Sequence, residues 1–313
     1  MLPAVRDAFT ALIDYAGLFP PAQLRMSDAV AEYTHERQGP FSWMLGRFIV
    51  PASRIGEMLP LLPEGPPVAL SVILDAGADR RHWFTAVQAS LREAEELREK
   101  RAFVRVDAFE TVLPALAAQR ETYDATAEQF AALLRQAAFD QPAYAEIPRN
   151  ARTQALLPAS IATLARAKLR LKIRCGGAEA QAFPSPEEVA GFVQTVTAAA
   201  VPFKATAGLH HPIRHKDAAS GFVMHGFLNL LGATALARSG ADSSQLEGIL
   251  SDEDASNFSF DETGFRWRDL HVDGAGLRRA RTHGLVAYGS CSFAEPVEDL
   301  IALKLLDGSI PSP

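Results

Sequence analysis

Short runs rich in β-branched and aromatic residues alternate with amphipathic helical stretches along almost the whole chain. Strand–helix alternation with short connections predicts a parallel sheet. Eight such units predict closure into a (β/α)8 TIM barrel, an α/β fold, with an open doubly wound sheet as the alternative. The predicted strands are Leu12–Phe19, Ser42–Val50, Val68–Asp75, Ala102–Asp107, Ala143–Ile147, Leu169–Cys175, Val201–Thr206 and Leu285–Ser290.

Two of the helical stretches carry signals for where the helix begins. Thr126 is followed three residues later by Gln129, and Ser185 is followed in the same way by Glu188, with Pro186 between them. Ser or Thr with Glu or Gln at this spacing is typical of a capping box, and proline suits the first helical turn. We therefore expect one helix to begin at each place.

The segment from residue 241 to residue 284 lacks a clean barrel periodicity. We interpret it as an irregular structural or oligomerisation insertion before the last strand, within a single barrel domain over residues 1–313. A catalytic role is the alternative. Its place between the seventh helix and the last strand predicts the amino-terminal face of the barrel, away from the chemistry. A second count omits Leu12–Phe19 and takes Phe258–Phe260 as the seventh strand, which also gives a barrel.

The composition is that of an ordinary globular protein, since 48% of the 313 residues are hydrophobic and 22% are charged. A net charge of −6 without long basic runs argues against binding to nucleic acid or to an anionic membrane surface. Two cysteines, Cys175 and Cys291, are too few for a disulfide scaffold. Because no signal-peptide pattern or long apolar run is present, we expect a cytoplasmic protein, with homo-oligomerisation left open.

Charged side chains are predicted on the inner face of several strands. Alternate side chains of a barrel strand face the helices and the interior, and inward residues near the carboxyl end line the active site. The excess of positive charge in the inward set predicts a small anionic substrate, a carboxylate or a phosphate. Buried ion pairs are the structural alternative. The inward set is Arg47, Asp75, Arg105, Asp107, Tyr144, Glu146, Arg170, Lys172, Arg174, Lys204 and Thr206, with Arg47 and Asp75 at the ends of their strands.

Two lysines on neighbouring predicted strands, Lys172 and Lys204, carry the most chemical information. Each cation disfavours protonation of the other, and partial burial acts in the same direction. A lysine that loses its proton near neutral pH can attack a carbonyl carbon and form an imine. The alternative is that both lysines only bind an anion.

Glycine-rich turns follow the last predicted strands. Gly176 and Gly177, then Gly208, then Gly289 with Ser290 all stand where a strand passes into its loop. Backbone N–H groups in such turns, together with a following helix start, can bind a phosphate or a carboxylate. Glycine also serves as a simple turn residue, so this prediction depends on the turns acting together.

The run GLHHPIRH places His210, His211, Arg214 and His215 in the loop after the Lys204 strand. Histidine suits acid–base catalysis at neutral pH, and adjacent histidines could also bind a metal ion. A metal site would need a carboxylate from another strand, such as Asp107 or Glu146. Acid–base catalysis or substrate contact, metal binding and a solvated loop therefore all remain open for this run.

The order of these motifs resembles the deoxyribose-phosphate aldolase group of class I aldolases. LIDYAGL and GRFIVPASRIGEML resemble the family's first two strands, LKIRCGG its Schiff-base strand, VPFKATAG the next strand, and AYGSCSF the last. The resemblance implies Lys172 as the imine-forming nucleophile and Lys204 as the lysine that lowers its pKa. It also implies Asp107 as the acid–base group, with Gly208 and Ser290 at the anionic end of the substrate.

Three functions therefore compete at this stage. The first is an aldolase-like carbon–carbon lyase that uses a lysine imine and needs no cofactor. The second is a metal-dependent hydrolase or isomerase that uses His210 and His211. The third is a barrel that binds a small anion without catalysis, because a barrel fold alone does not imply a reaction.

Overall fold

The computed structural model describes residues 1–63, 65–75, 79–100, 103–114, 120–149, 151–218 and 220–308. Eight strands form one closed barrel in the order β1-β13-β7-β6-β5-β4-β3-β2. The barrel strands are β1 (Ile13–Tyr15), β2 (Leu45–Pro51), β3 (Val68–Ile73), β4 (Val104–Val112), β5 (Ala143–Glu146), β6 (Arg170–Arg174), β7 (Phe203–Thr206) and β13 (Leu285–Ser290).

The barrel is a parallel one, which confirms the predicted (β/α)8 TIM-barrel class. Neighbouring strands pair in parallel from β2 through β6, and β13 pairs in parallel with β7. The alternative prediction, an open doubly wound sheet, is therefore wrong. The strand predicted at Leu12–Phe19 is present in a shorter form as β1, so the second strand count is also wrong.

The fourth strand departs most from its prediction. It was expected over Ala102–Asp107, of which Ala102 lies outside the described residues, but β4 continues to Val112. Leu70 of β3 pairs with Val106 and Ser71 pairs with Ala108. Asp107 is thus the extra residue of a β-bulge, and the inward and outward positions of β4 exchange as the strand passes it.

Helices separate most of the strands, as the alternating pattern predicts. The capping box at Ser185 is confirmed, because its side chain accepts from Glu188 N–H while the Glu188 carboxylate accepts from Ser185 N–H. The predicted start at Thr126 is wrong, since that helix begins at Arg120. The helices are α1 (Pro3–Phe9), α2 (Met26–Glu36), α3 (Ile55–Met58), α4 (Arg80–Lys100), α5 (Arg120–Gln136), α6 (Ala151–Arg166), α7 (Pro186–Ala198), α8 (Phe227–Arg238), α9 (Ser243–Ser251), α10 (Gly274–His283) and α11 (Ala294–Ala302). Within the described ranges, none of these helices combines the length and the apolar character needed to cross a membrane.

Internal contacts divide the chain into two compact units. The first comprises Met1–Ile13, Glu36–Gly46 and Arg174–Pro313, and the second comprises Asp14–His35 and Arg47–Ile173. In the second unit, Trp83 of α4 packs edge-to-face on Phe130 of α5, with ring centroids 5.8 Å apart. Its indole N–H donates to Thr111 Oγ1 of β4 at 3.1 Å, which fixes the helix against the outer face of that strand.

In the first unit, residues 241–284 are built of regular elements. Helix α9 leads to an antiparallel sheet of β10 (Phe258–Phe260), β11 (Gly264–Trp267) and β12 (Leu270–Asp273), and α10 follows. The expectation of an irregular connection is therefore wrong. The two-stranded hairpin β8 (His215–Lys216) and β9 (Val223–Met224) precedes α8 in the same unit.

A buried carboxylate holds this inserted segment together. The Asp252 carboxylate accepts from Trp267 Nε1 and Arg268 Nη2, each at 2.9 Å, and from Asn257 Nδ2. Burial acts to raise the pKa of Asp252, but hydrogen bonds from Asp254 N–H, Trp267 and Asn257 hold that pKa below its usual value. The segment has its own polar core, and a role in oligomerisation stays a prediction.

Candidate functional site

A buried lysine lies between two buried carboxylates inside the second unit. Lys172 Nζ of β6 is 3.1 Å from Glu110 Oε2 of β4 and 3.1 Å from Glu146 Oε2 of β5. The three side chains are 5%, 2% and 6% exposed. Buried charges are costly unless they are paired, so these contacts account for why the lysine is tolerated there.

Strand register explains why the three side chains share one face. Glu146 pairs directly with Lys172 across β5 and β6, and Val112 of β4 pairs with Glu146. Side chains of successive residues alternate between faces, so Glu110 lies on the face of Val112. Thr111, between them, bonds to Trp83 of a surrounding helix, so the Glu110 face is the inner one.

A fourth side chain completes the cluster from the next strand. Ser71 Oγ of β3 donates to Glu110 Oε1 at 2.6 Å, and Ser71 is fully buried. The two carboxylate oxygens of Glu110 therefore contact different groups. Oε1 accepts a hydrogen bond from the serine hydroxyl, and Oε2 contacts the lysine amine. We refer to Ser71, Glu110, Glu146 and Lys172 as the lysine cluster.

Sequence reasoning missed Glu110 and Ser71. Strict alternation across FVRVD placed Arg105 and Asp107 on the inner face at the end of the strand. The strand instead continues beyond them, so the prediction that Asp107 lies at its carboxyl end is wrong. The guanidinium of Arg105, two-thirds exposed, binds the Asp107 carboxylate. The continuing apolar and β-branched run AFETVL was the only signal that could have extended the strand to Glu110.

Further polar contacts involve Arg47 and Arg170, two other residues that were predicted to face inward. Arg47 is near the beginning of β2, not at its end as predicted, and its backbone N–H and side chain bond to the buried Asp14 carboxylate. Burial acts to lower the pKa of Arg47, but Asp14, then Tyr144 and Asp107, raise it. Arg170 Nη1 donates to the Tyr144 hydroxyl at 3.1 Å. These contacts support the structural alternative for Arg47 and Arg170.

Asp75 follows the end of β3, as predicted, but its contacts are structural. Its carboxylate accepts from the Ser53 hydroxyl at 3.1 Å and from the Ser90 hydroxyl of α4 at 3.3 Å. Ser90 Oγ in turn accepts from Asp75 N–H. The residue thereby ties the turn after β2 to helix α4.

The predicted second lysine is buried in the first unit. Lys204 of β7 is 1% exposed and pairs in register with Ala287 of β13, while Thr206 pairs with Gly289. β7 and β6 are neighbours in the barrel order. Arg174, the last residue of β6, is exposed. The approach of Lys204 to Lys172 stays a prediction.

Two residues of the glycine-rich turns, Gly208 and Ser290, have surroundings that the structure defines. Gly208 has a φ of +69°, and a Cβ there would lie 3.1 Å from the Cys175 carbonyl oxygen and 3.2 Å from Gly176 Cα. Glycine is therefore required at this position by both conformation and space. Ser290 is 1% exposed, and its hydroxyl oxygen has no hydrogen-bond partner in the described part of the chain. An anion-binding role for these turns stays a prediction.

The histidine loop binds carboxylates on α11. Contacts with Cys291 Sγ at 3.8 Å and with Glu295 at 3.3 Å raise the pKa of His210 to about 10. His211 Nδ1 lies 2.6 Å from Asp299 Oδ2. His210 is thus an imidazolium at neutral pH, paired with the Glu295 carboxylate.

No group of three or more His, Cys, Asp or Glu side chains suited to a metal ion occurs among the described residues. His215 Nδ1 bonds to the Ile213 carbonyl, and its ring contacts His211 edge-to-face. Acid–base catalysis, substrate contact and metal binding all stay predictions for the run.

His225, at the end of the same loop, is a structural residue. Burial lowers the pKa of His225 to about 4, so the ring is neutral at pH 7. Its Nε2 bonds to the Pro184 carbonyl oxygen at 2.7 Å. The Nδ1 atom lies 3.4 Å from Arg214 Nη1 and can accept from it.

No family model matches this chain, and no curated protein sequence matches it either. The chemistry of the lysine cluster must therefore be argued from its own geometry.

Proposed function

We propose that this protein is a carbon–carbon lyase that cleaves a small carbonyl compound through an imine at Lys172. The observation that carries the proposal is the contact of the buried Lys172 amine with Glu110 and Glu146, each at 3.1 Å. A nucleophilic amine needs a neighbouring group that can take its proton, and two carboxylates stand within reach here.

Imine formation can be written with these groups alone. A carboxylate takes a proton from the Lys172 ammonium, and the neutral amine attacks the carbonyl carbon to form a carbinolamine. The carbonyl oxygen then leaves as water with two protons that came from the amine nitrogen. The product is an iminium ion with one N–H. Its positive charge lies beside the Glu110 and Glu146 carboxylates, which stabilise it.

The iminium ion then supplies the electron sink for bond cleavage. A carboxylate removes the proton of the hydroxyl group two carbons from the iminium carbon, and that hydroxyl carbon becomes a carbonyl. The electron pair of the broken carbon–carbon bond moves into an enamine on Lys172. Protonation of the enamine and addition of water release the second product and restore the amine.

The remaining features of the substrate are predictions from the sequence. The anionic end, a carboxylate or a phosphate, is proposed to bind near Gly208 and Ser290, where the glycine turn lies and where the buried Ser290 hydroxyl has no hydrogen-bond partner among the described residues. Lys204 is proposed to disfavour the ammonium form of Lys172. A cytoplasmic location and the absence of a cofactor belong to the same proposal.

Trapping of the imine tests the proposal directly. The protein is incubated with borohydride and a panel of small aldehydes, ketones and sugar phosphates, and the modified peptide is located by mass spectrometry. We expect a stable adduct on Lys172 that is absent from Lys172→Ala and unchanged in Lys216→Ala, which removes an exposed lysine of β8. Adducts spread over exposed lysines, with none on Lys172, would overturn the proposal. Ligand-induced thermal stabilisation without any adduct would point instead to a barrel that binds a small anion.

A further inference from the structure

We infer that Ser71 is a positioning residue that keeps Lys172 in its unreactive ammonium form between turnovers, by acting through Glu110. The inference rests on the proposed lysine chemistry. The Ser71 hydroxyl donates to Glu110 Oε1 at 2.6 Å, and the other oxygen of that carboxylate contacts Lys172 Nζ at 3.1 Å. This shared carboxylate is the route by which Ser71 acts on the amine.

The hydrogen bond biases Glu110 towards its charged form. A hydroxyl that donates to a carboxylate stabilises the anion, and the bond is stronger when the acceptor is charged. The site is fully buried at Ser71 and nearly so at Glu110, so water weakens the bond very little.

The charged form of Glu110 in turn stabilises the ammonium group. With Oε1 held by Ser71, Oε2 is directed at Lys172 Nζ at 3.1 Å. Two forms of this pair compete in a buried site: the ion pair, and a neutral amine beside a protonated carboxyl. Because Ser71 donates its only hydroxyl proton to Glu110, it favours the ion pair.

The consequence is protection of the amine. A lysine that forms imines readily would react with any small aldehyde that entered the barrel, whereas an ammonium group does not attack a carbonyl carbon. Removal of the Ser71 hydroxyl should therefore increase the reactivity of Lys172 in the resting protein.

Reductive methylation measures this reactivity without knowledge of the substrate. The intact protein is treated at pH 7 with formaldehyde and cyanoborohydride, and the rate at Lys172 is read by peptide mass spectrometry against the exposed Lys216 and Lys304. We expect Lys172 in Ser71→Ala to react faster than in the wild type by a factor on the order of ten, because a hydrogen bond to a charged group is lost.

Four further variants make the outcome decisive. Ser90→Ala is the matched control, because it removes another buried serine hydroxyl that bonds to a carboxylate, and it should leave the Lys172 rate unchanged. Glu110→Gln should raise the rate, and Ser71→Ala added to it should have no further effect. Ser71→Cys, with a weaker donor of similar size, should behave like Ser71→Ala and serves if the alanine variant does not fold.

Three results would overturn the inference: an unchanged Lys172 rate in the Ser71 variants, an equal effect of Ser71→Ala in the Glu110→Gln protein, or no methylation of Lys172 in any variant. An absence of methylation at Lys172 contradicts the inference because formaldehyde is smaller than any substrate that the site must admit. If candidate substrates leave no adduct while the Ser71 effect is found, the lyase proposal fails and the charge coupling stands. If adducts form and the Ser71 effect is missing, only the coupling fails.

Discussion

Glu146 and Lys172 are direct partners in the parallel ladder between β5 and β6, and their charged groups meet at 3.1 Å on the inner face of the strands. Because adjacent strands fix both backbones, the contact does not depend on a loop. Glu110 reaches the same amine only because β4 contains a bulge at Asp107. Regular strand pairing and one irregularity together produce the lysine cluster.

Removal of the lysine should be costly for folding. Lys172→Met removes the ammonium group that Glu110 and Glu146 both contact, and breaking a buried pair in this way typically costs about 3–5 kcal/mol. Urea unfolding at pH 7 measures this, with Lys216→Met as the exposed control. Equal stability of the wild type and Lys172→Met at pH 7 would contradict the assigned ion pairs.

His210 should make stability depend on alkaline pH. Its pKa of about 10 in the folded protein lies above the usual 6.5, because of Cys291 Sγ and then Glu295. A raised pKa contributes stability that is fully present below pH 6.5 and is lost as the pH rises towards 10. We expect the melting temperature of the wild type to fall relative to His210→Gln by roughly 4 °C or more between pH 6.5 and pH 10. Cys291→Ala and Glu295→Gln should each reduce that fall, and parallel melting curves at both pH values would contradict the contacts.

His225 should make the stability of the folded protein depend on acidic pH. Burial lowers its pKa from 6.5 to about 4, so between these values the unfolded chain binds a proton that the folded protein does not. The wild type should therefore lose about 3 kcal/mol relative to His225→Gln as the pH falls from 6.5 to 4. Denaturant unfolding at pH 7, 5.5 and 4 gives the slope. His35→Gln, at the end of α2, is the matched histidine control.

The inserted segment should depend on Asp252. Asp252→Ala removes the acceptor of Trp267, Arg268 and Asn257 and leaves the buried Trp267 indole N–H unpaired, which costs about 1–3 kcal/mol. Limited proteolysis should then cut within residues 241–284 before it cuts elsewhere. Asp254→Ala, whose carboxylate caps only Ser256, should leave that segment resistant.

The barrel could be predicted from the sequence because each strand is followed by its own helical pattern, and because apolar alternation identified the inner face of β5 and β6. Leu171 faces the core while Glu146 and Lys172 face one another, as the alternation implies. The inserted sheet could not be assigned in this way. Its strands β10, β11 and β12 are short and pair with one another, so they show no barrel period.

The site was predicted only in part, for two physical reasons. Alternation assumes a regular strand, and the bulge at Asp107 changes which side chains of β4 face inward, so Glu110 was missed. Position near a strand end was also inferred from uncertain boundaries, so Arg47 was expected near the mouth although it is held by Asp14 near the beginning of β2. Lys172 and Glu146 were found because their strands are short and regular.

The bulge provides a direct comparison between the acid–base group expected from the sequence and the carboxylate found beside the amine. Asp107→Asn and Glu110→Gln remove one negative charge each from the same strand, but only Glu110 contacts Lys172. If Glu110 moves the hydroxyl proton during carbon–carbon bond cleavage, Glu110→Gln should slow product formation by about 100-fold, the usual size of a general acid–base contribution, even though the resting Lys172 amine becomes more reactive. Asp107→Asn should slow it by less than about threefold, because its partner Arg105 is largely exposed and such pairs contribute little. The reverse order of the two effects would return the role to Asp107 and would mean that the bulge rearranges when substrate binds.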